Sequence, residues 1–211
     1  MKKKEIAKIA IDELKKLYPD AVCSLEYEKP YELLFSVRLS AQCTDARVNI
    51  VCKDLYQKYT SLEEFADADI GELEAIVRPC GFYKVKAQNI KDCARMLLEK
   101  FGGKVPDNME DLLSLPGVGR KSANLILGDV YKAPGSVVAD THCIRISGRL
   151  GLTDSTDPVK VEHQLRKILP AEESNDFCHR LVLFGRSHCA ARSPKCKVCP
   201  LYSICPSKIV K

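Results

Sequence analysis

Leu115-Pro116-Gly117-Val118-Gly119-Arg120-Lys121 is the stretch on which the fold of this 211-residue chain turns. Upstream, Asp107 to Leu113 reads as a short helix; downstream, Ala123, Leu125 and Ile126 resume helical periodicity. The heptapeptide is therefore the turn of a helical hairpin. Two glycines flanking one small apolar residue let the backbone take positive φ, anchor Val118 in the core and expose N–H groups at the start of the second helix. Such groups can hold a phosphate, although the same residues also suit a plain αα-hairpin without a ligand. Lys121 falls in the first turn of that second helix, where a lysine is ordinarily a surface residue. A nucleophile needs the neutral amine, the form that a positive helix end favours.

Outward from the hairpin the pattern stays helical. Ile6, Ile9, Ala10, Leu14 and Leu17 make residues 4 to 18 an amphipathic helix ending before Pro19. Pro30 suits a first helical position, Thr44 caps a helix carrying Val48, Val51 and Leu55, and Ser61/Glu64 and Asp69/Glu72 have capping-box spacing. Lys84 to Phe101 buries Ala87, Ile90, Ala94 and Leu97 until Gly102 and Gly103 stop it. Asp140 opens a helix running to Arg149, where a carboxylate caps free N–H groups; capping alone is reason enough for an aspartate there. Asp157-Pro158 opens another, and residues 172 to 185 make the last. Strand-type alternation is nearly absent, so the chain is expected to be all-α.

With 45% hydrophobic and 29% charged residues, the chain can bury a globular core, and disorder is excluded. No apolar run approaches the roughly 20 residues that span a bilayer. The amino terminus lacks the unbroken apolar core of a signal peptide, so a cytoplasmic protein with no membrane association is expected. The net charge of +5 is unevenly spread: from Phe177 onward there are seven basic residues and no acidic one. A compact cationic segment attracts polyanions by counterion release, which makes nucleic acid the leading partner class beside a merely solvated basic tail.

Eleven cysteines in a reducing compartment suggest metal ligation or buried thiols more than disulfides. Four of them, Cys189-x6-Cys196-x2-Cys199-x5-Cys205, lie on one short segment with soft ligands close enough to converge on a metal. Ligand type alone permits zinc or iron–sulfur, but zinc ribbons more often pair two C-x2-C knuckles.

The run Leu115 to Lys121, the segment Val138-Ala139-Asp140-Thr141-His142 and the four closing cysteines together resemble the endonuclease III family of helix-hairpin-helix base-excision DNA glycosylases. The resemblance covers essentially the whole chain. It implies a two-lobed all-α DNA glycosylase fold: a helical barrel domain over residues 22–133 containing the hairpin, and a discontinuous domain of residues 1–21 and 134–211 carrying a C-terminal [4Fe-4S] loop. The spacing of Cys189, Cys196, Cys199 and Cys205 matches that of the family's cluster. It further implies Lys121 as nucleophile and Asp140 as catalytic carboxylate. The activity implied is excision of oxidised pyrimidines from duplex DNA followed by β-elimination at the abasic site. Chemistry on a stacked nucleotide requires that it first be flipped out.

Gly117, Val118 and Gly119 are then DNA-backbone contacts, and Arg192 and Lys195, between the first two cluster ligands, form a phosphate-binding prong. Leu39-Ser40-Ala41-Gln42-Cys43-Thr44-Asp45 resembles the family segment whose glutamine fills the vacated space, a role carried here onto Gln42; an amide satisfying a helix end would look the same. Gly81-Phe82-Tyr83 matches a loop where the family generally has an aliphatic wedge. Phe82 departs from that pattern, and a core phenylalanine competes with a wedge. The expected partner is double-stranded DNA bearing damaged pyrimidines or abasic sites, bound by a monomer. The rivals are a monofunctional adenine or mismatch glycosylase, against which Lys121 argues, and a non-enzymatic DNA-binding iron–sulfur or zinc protein.

Overall fold

A computed structural model describes residues 1–209. Among the described residues there is no strand, and the α-helices are α1 (Lys3–Leu17), α2 (Pro30–Leu39), α3 (Asp45–Lys58), α4 (Leu62–Asp67), α5 (Ile70–Val77), α6 (Tyr83–Phe101), α7 (Met109–Ser114), α8 (Arg120–Asp129), α9 (Thr141–Arg149), α10 (Pro158–Arg166) and α11 (Ser174–Ser187). The all-α expectation holds. The chain divides into two compact units: Ser24–Val130, and Met1–Cys23 with Tyr131–Lys211.

The unit of Ser24–Val130 is built around α2, which buries Leu33, Leu34, Phe35, Val37 and Leu39. Phe35 meets Phe65 of α4 edge to face, ring centroids 4.9 Å apart, with Tyr31 and Tyr59 against the same ring. Burying each phenylalanine contributes about 2 to 3 kcal/mol before entropy is charged against it. Helix starts follow local chemistry. The Thr44 hydroxyl accepts from the Arg47 N–H at 3.3 Å, and Asp69 from the Glu72 N–H at 2.9 Å. Asn108, one residue past the expected start, caps α7 by accepting from the Asp111 N–H at 2.9 Å. At α4 the box is skewed: Ser61 accepts from the Glu64 N–H, but the Glu64 carboxylate returns to the Thr60 N–H.

In the unit of Met1–Cys23 and Tyr131–Lys211, α1 and α9 both pack on α11, burying Ala10, Leu14, Ile146, Phe177, Leu181 and Phe184. Arg180 of α11 is buried yet paired, with Glu173 at 3.4 Å and Asp176 at 3.2 Å, and its Nε donates to the Tyr18 carbonyl at 3.3 Å. That last bond fastens the end of α1 to α11. Asp157 caps α10 with Pro158 at its first turn. α11 begins at Ser174 because a single 3-10 turn, Ala171–Glu173, occupies the residues read as its start. Among the described residues no helix is long and apolar enough to cross a membrane.

Candidate nucleic-acid interface and active site

The hairpin joins α7 to α8 as expected, but its glycines serve different ends. Gly117 has φ +75°, and a Cβ there would lie 2.7 Å from both Arg38 Nε and the end of the Asn89 amide, so the turn excludes a side chain twice over. With its amide oxygen facing Arg38, Asn89 accepts from both Nη2 at 2.7 Å and Nε at 2.9 Å, making a rigid floor under the turn. Gly119 instead has an extended φ of −104°, and its missing Cβ faces open space. Of the two glycines expected to take positive φ, only Gly117 does.

Val118 also differs from expectation. It is half-buried, and the hydrophobic anchors of the hairpin are Leu112 and Leu115. Its N–H is already committed to the Leu115 carbonyl at 3.1 Å, closing the turn. The N–H groups offered to a ligand are therefore those at the start of α8, which has no side-chain cap. Lys121 sits in that uncapped turn. It is exposed, and its ammonium has no hydrogen-bonding partner among the described residues.

Asp140 is half-buried at the N-cap of α9, Oδ1 accepting from the Cys143 N–H at 2.7 Å. The capping role is real and occupies one oxygen; Oδ2 accepts no hydrogen bond from any described residue. The far end of the same helix holds the cysteine loop. Arg145 donates from Nη2 to the Cys189 carbonyl at 3.0 Å. Arg149 donates to the Ala190 and Ala191 carbonyls at 2.8 and 2.9 Å and to Cys189 Sγ at 3.2 Å. Neither arginine stands out in the sequence. Their only signal is an i, i+4 repeat of long cations on a helix, which by itself reads as a solvated face.

Cys189, Cys196, Cys199 and Cys205 line one cavity of about 180 Å³, walled by Phe184 and Leu201. Burial pushes the Cys199 and Cys205 thiols up, and the neighbouring cysteines push them further. Among the described residues no three side chains converge tightly enough for a single metal ion. Four sulfurs lining one cavity are a soft donor set of the kind that suits a thiolate-bound metal centre. Arg192 and Lys195 between the first two cysteines are both exposed, and the Lys195 N–H is tied to the His188 carbonyl at 2.9 Å.

Gln42 and Phe82 share an unusual property: both are non-glycine residues in the left-handed region, φ +56° and +48°. Phe82 is 67% exposed, which removes the alternative of a core phenylalanine. Gln42 is exposed and satisfies no helix end, since Thr44 caps α3. Both lie in the Ser24–Val130 unit with the hairpin.

Residues 35–171 match the HhH-GPD superfamily of base excision DNA repair proteins. The chain is 46% identical to endonuclease III of Synechocystis sp. over 194 residues, covering 92% of this chain and 89% of that protein. Endonuclease III of Bacillus subtilis is 42% identical with the same coverage. The chain belongs to the endonuclease III family. Among solved structures it resembles a trapped endonuclease III–DNA covalent intermediate, an estranged-adenine complex, with a TM-score of 0.90 and 43% identity over 99% of this chain and 97% of that one. Membership of the endonuclease III family accounts for the helix-hairpin-helix and the all-helical architecture together.

Proposed function

We propose that this chain is a bifunctional DNA glycosylase and AP lyase that removes oxidised pyrimidines from duplex DNA and nicks the abasic strand. The observation that carries the proposal is Lys121, an exposed, unpartnered amine on the first turn of α8, beside a hairpin whose next helix is left uncapped. A phosphate bound to those N–H groups fixes the DNA backbone beside the amine, and bound substrate supplies the desolvation that the fold alone does not.

The neutral Nζ of Lys121 attacks C1′ of an extruded nucleoside. The glycosidic bond breaks, its electron pair leaves with the base, and the base takes up a proton. Opening of the sugar ring leaves an imine between Nζ and C1′. Loss of a proton from C2′ then expels the 3′ phosphate and cuts the strand. Asp140, with one oxygen capping α9 and the other unengaged, stabilises positive charge on the sugar and carries protons during these transfers. Gln42 and Phe82 enter the stack vacated by the nucleotide, while Arg192 and Lys195 contact phosphates. Cys189, Cys196, Cys199 and Cys205 hold a [4Fe-4S] cluster, which supplies a structural centre that pins the cationic loop.

The test is a single-turnover assay on a duplex carrying one oxidised pyrimidine. Wild type is expected to release the base and leave a 3′ unsaturated aldehyde, and Lys121→Ala to yield neither product at a measurable rate while still binding the duplex. Strand cleavage by Lys121→Ala at the wild-type rate would contradict the proposal.

A further inference from the structure

Lys86 of α6 is 1% exposed, and its ammonium donates to three carbonyls at 2.8 Å each: Leu39 and Ala41 at the end of α2, and Cys80 before α6. Three donors and three acceptors satisfy the group completely, and among the described residues it is paired with no carboxylate. Burying a charge this way is costly, and an apolar side chain in its place would strip the donor from three carbonyls at once. What the ammonium supplies is connection. One atom grips both the turn leading to Gln42 and the turn leading to Phe82, which the Cys43 and Cys80 thiols also bridge.

Both turns need gripping. Gln42 follows Ala41 directly, Phe82 follows Cys80 by two residues, and each is left-handed without being glycine, a strained conformation that persists only where the surroundings offset its cost. Neither exposed side chain holds its own turn in place: the Gln42 amide has no hydrogen-bonding partner among the described residues, and the Phe82 ring is largely in solvent. We infer that Lys86 is a positioning residue that locks the two turns in one register, so that Gln42 and Phe82 enter the DNA duplex as a unit. This rests on the reading of those two side chains as the groups that enter the stack. Burial pulls the Lys86 ammonium below its ordinary value, as expected for a cation held by dipoles alone.

The experiment uses the full-length protein and a duplex bearing a tetrahydrofuran abasic analogue opposite 2-aminopurine, whose fluorescence rises when its stacking is disturbed. Wild type at saturating concentration is expected to brighten the probe. Folded Lys86→Met, checked by circular dichroism, is expected to bind about tenfold more weakly and, once saturated, to lose most of the brightening. A merely structural lysine would change melting temperature and leave the saturated signal intact. In the Lys86→Met background, Gln42→Ala is expected to add no further loss. Full brightening by saturated Lys86→Met would overturn the positioning role while Gln42→Ala and Phe82→Ala still reduced the signal. Full brightening by Gln42→Ala and Phe82→Ala would overturn the underlying reading, and the inference with it. If Lys86→Met does not fold, Lys86→Gln, which keeps donors for two of the three carbonyls, takes the same test with a smaller expected loss.

Discussion

The hairpin at Leu115–Lys121 and the cysteine loop at Cys189–Cys205 are both short irregular segments, yet they are stabilised in opposite ways. The hairpin is closed by its own backbone, Val118 to Leu115, and rests on an Arg38–Asn89 floor that leaves no room for a side chain at Gly117. Nothing external is needed to shape it. The cysteine loop has almost no secondary structure beyond the 3-10 turn Cys196–Val198, is hung from Arg145 and Arg149 of α9, and turns its four cysteines toward one cavity. One region is shaped by its own backbone bonds; the other hangs on two arginines of a neighbouring helix. Preformed backbone suits a surface that must fit a phosphate, whereas a cluster can stiffen a cationic loop that has little core of its own.

Metal removal is the largest test of that contrast. Chelating iron from the purified protein is expected to expose residues 188–205 to rapid hydrogen exchange and to cut duplex affinity, while the amides of α7 and α8 keep their protection; structural metal sites contribute on the order of 10 kcal/mol. Loss of protection at the hairpin as well would break the distinction. Because α9 carries Asp140 at one end and the loop-bearing arginines at the other, Asp140→Asn is the next step down. The amide still caps α9, so single-turnover base release is expected to slow by about 10²- to 10⁴-fold with little change in melting temperature.

Gly117→Ala and Gly119→Ala sharpen the hairpin side. Gly117→Ala is expected to lose about 2 to 4 kcal/mol in denaturant unfolding, from the left-handed φ and the clash with Arg38. Gly119→Ala, extended and facing open space, is expected to leave stability near wild type and to weaken duplex binding if phosphate occupies that space. The hairpin-bearing unit also has a metal-independent pH limit. Burial pushes the Cys93 and Cys80 thiols up to about 12 from an ordinary 9.0, so the folded state keeps protons that the unfolded chain releases. Their contribution is fully present below pH 9 and is lost between pH 9 and 12, and Cys93→Ala is expected to flatten the alkaline decline measured by urea melts. The smallest expected effect is on the loop surface. Replacing Arg192 and Lys195 with alanine together is expected to reduce the slope of log affinity against log salt by about 2, one unit for each phosphate no longer neutralised.

The features legible in the sequence are those whose cause is local. Thr44, Asp69, Asp140 and Asp157 are caps because a short polar side chain three residues before an N–H defines a helix start wherever it occurs. The cysteine spacing and the hairpin are legible for the same reason. Val118 misleads because the pattern cannot tell an apolar residue that packs from one whose N–H closes a turn. Lys86, Arg145 and Arg149 escape sequence reasoning because most of the carbonyls that define them lie 41 to 47 residues away and carry no side-chain signature, Cys80 being the near exception. Lys86 does leave one local trace, a charged residue one position before Ala87 on the otherwise apolar stripe that continues through Ile90, Ala94 and Leu97. Gln42 and Phe82 are placed by family resemblance, and their left-handed backbone, which sets them apart physically, is invisible in composition.

The central claim is that one amine becomes covalently joined to the sugar. Incubation with a duplex carrying an oxidised pyrimidine in the presence of sodium borohydride, followed by peptide mapping of the crosslinked species, tests it most directly. A reduced adduct on Lys121 in the wild type, absent from Lys121→Ala, is the result predicted; an active enzyme that yields no adduct, or one mapped to a different lysine, would contradict it.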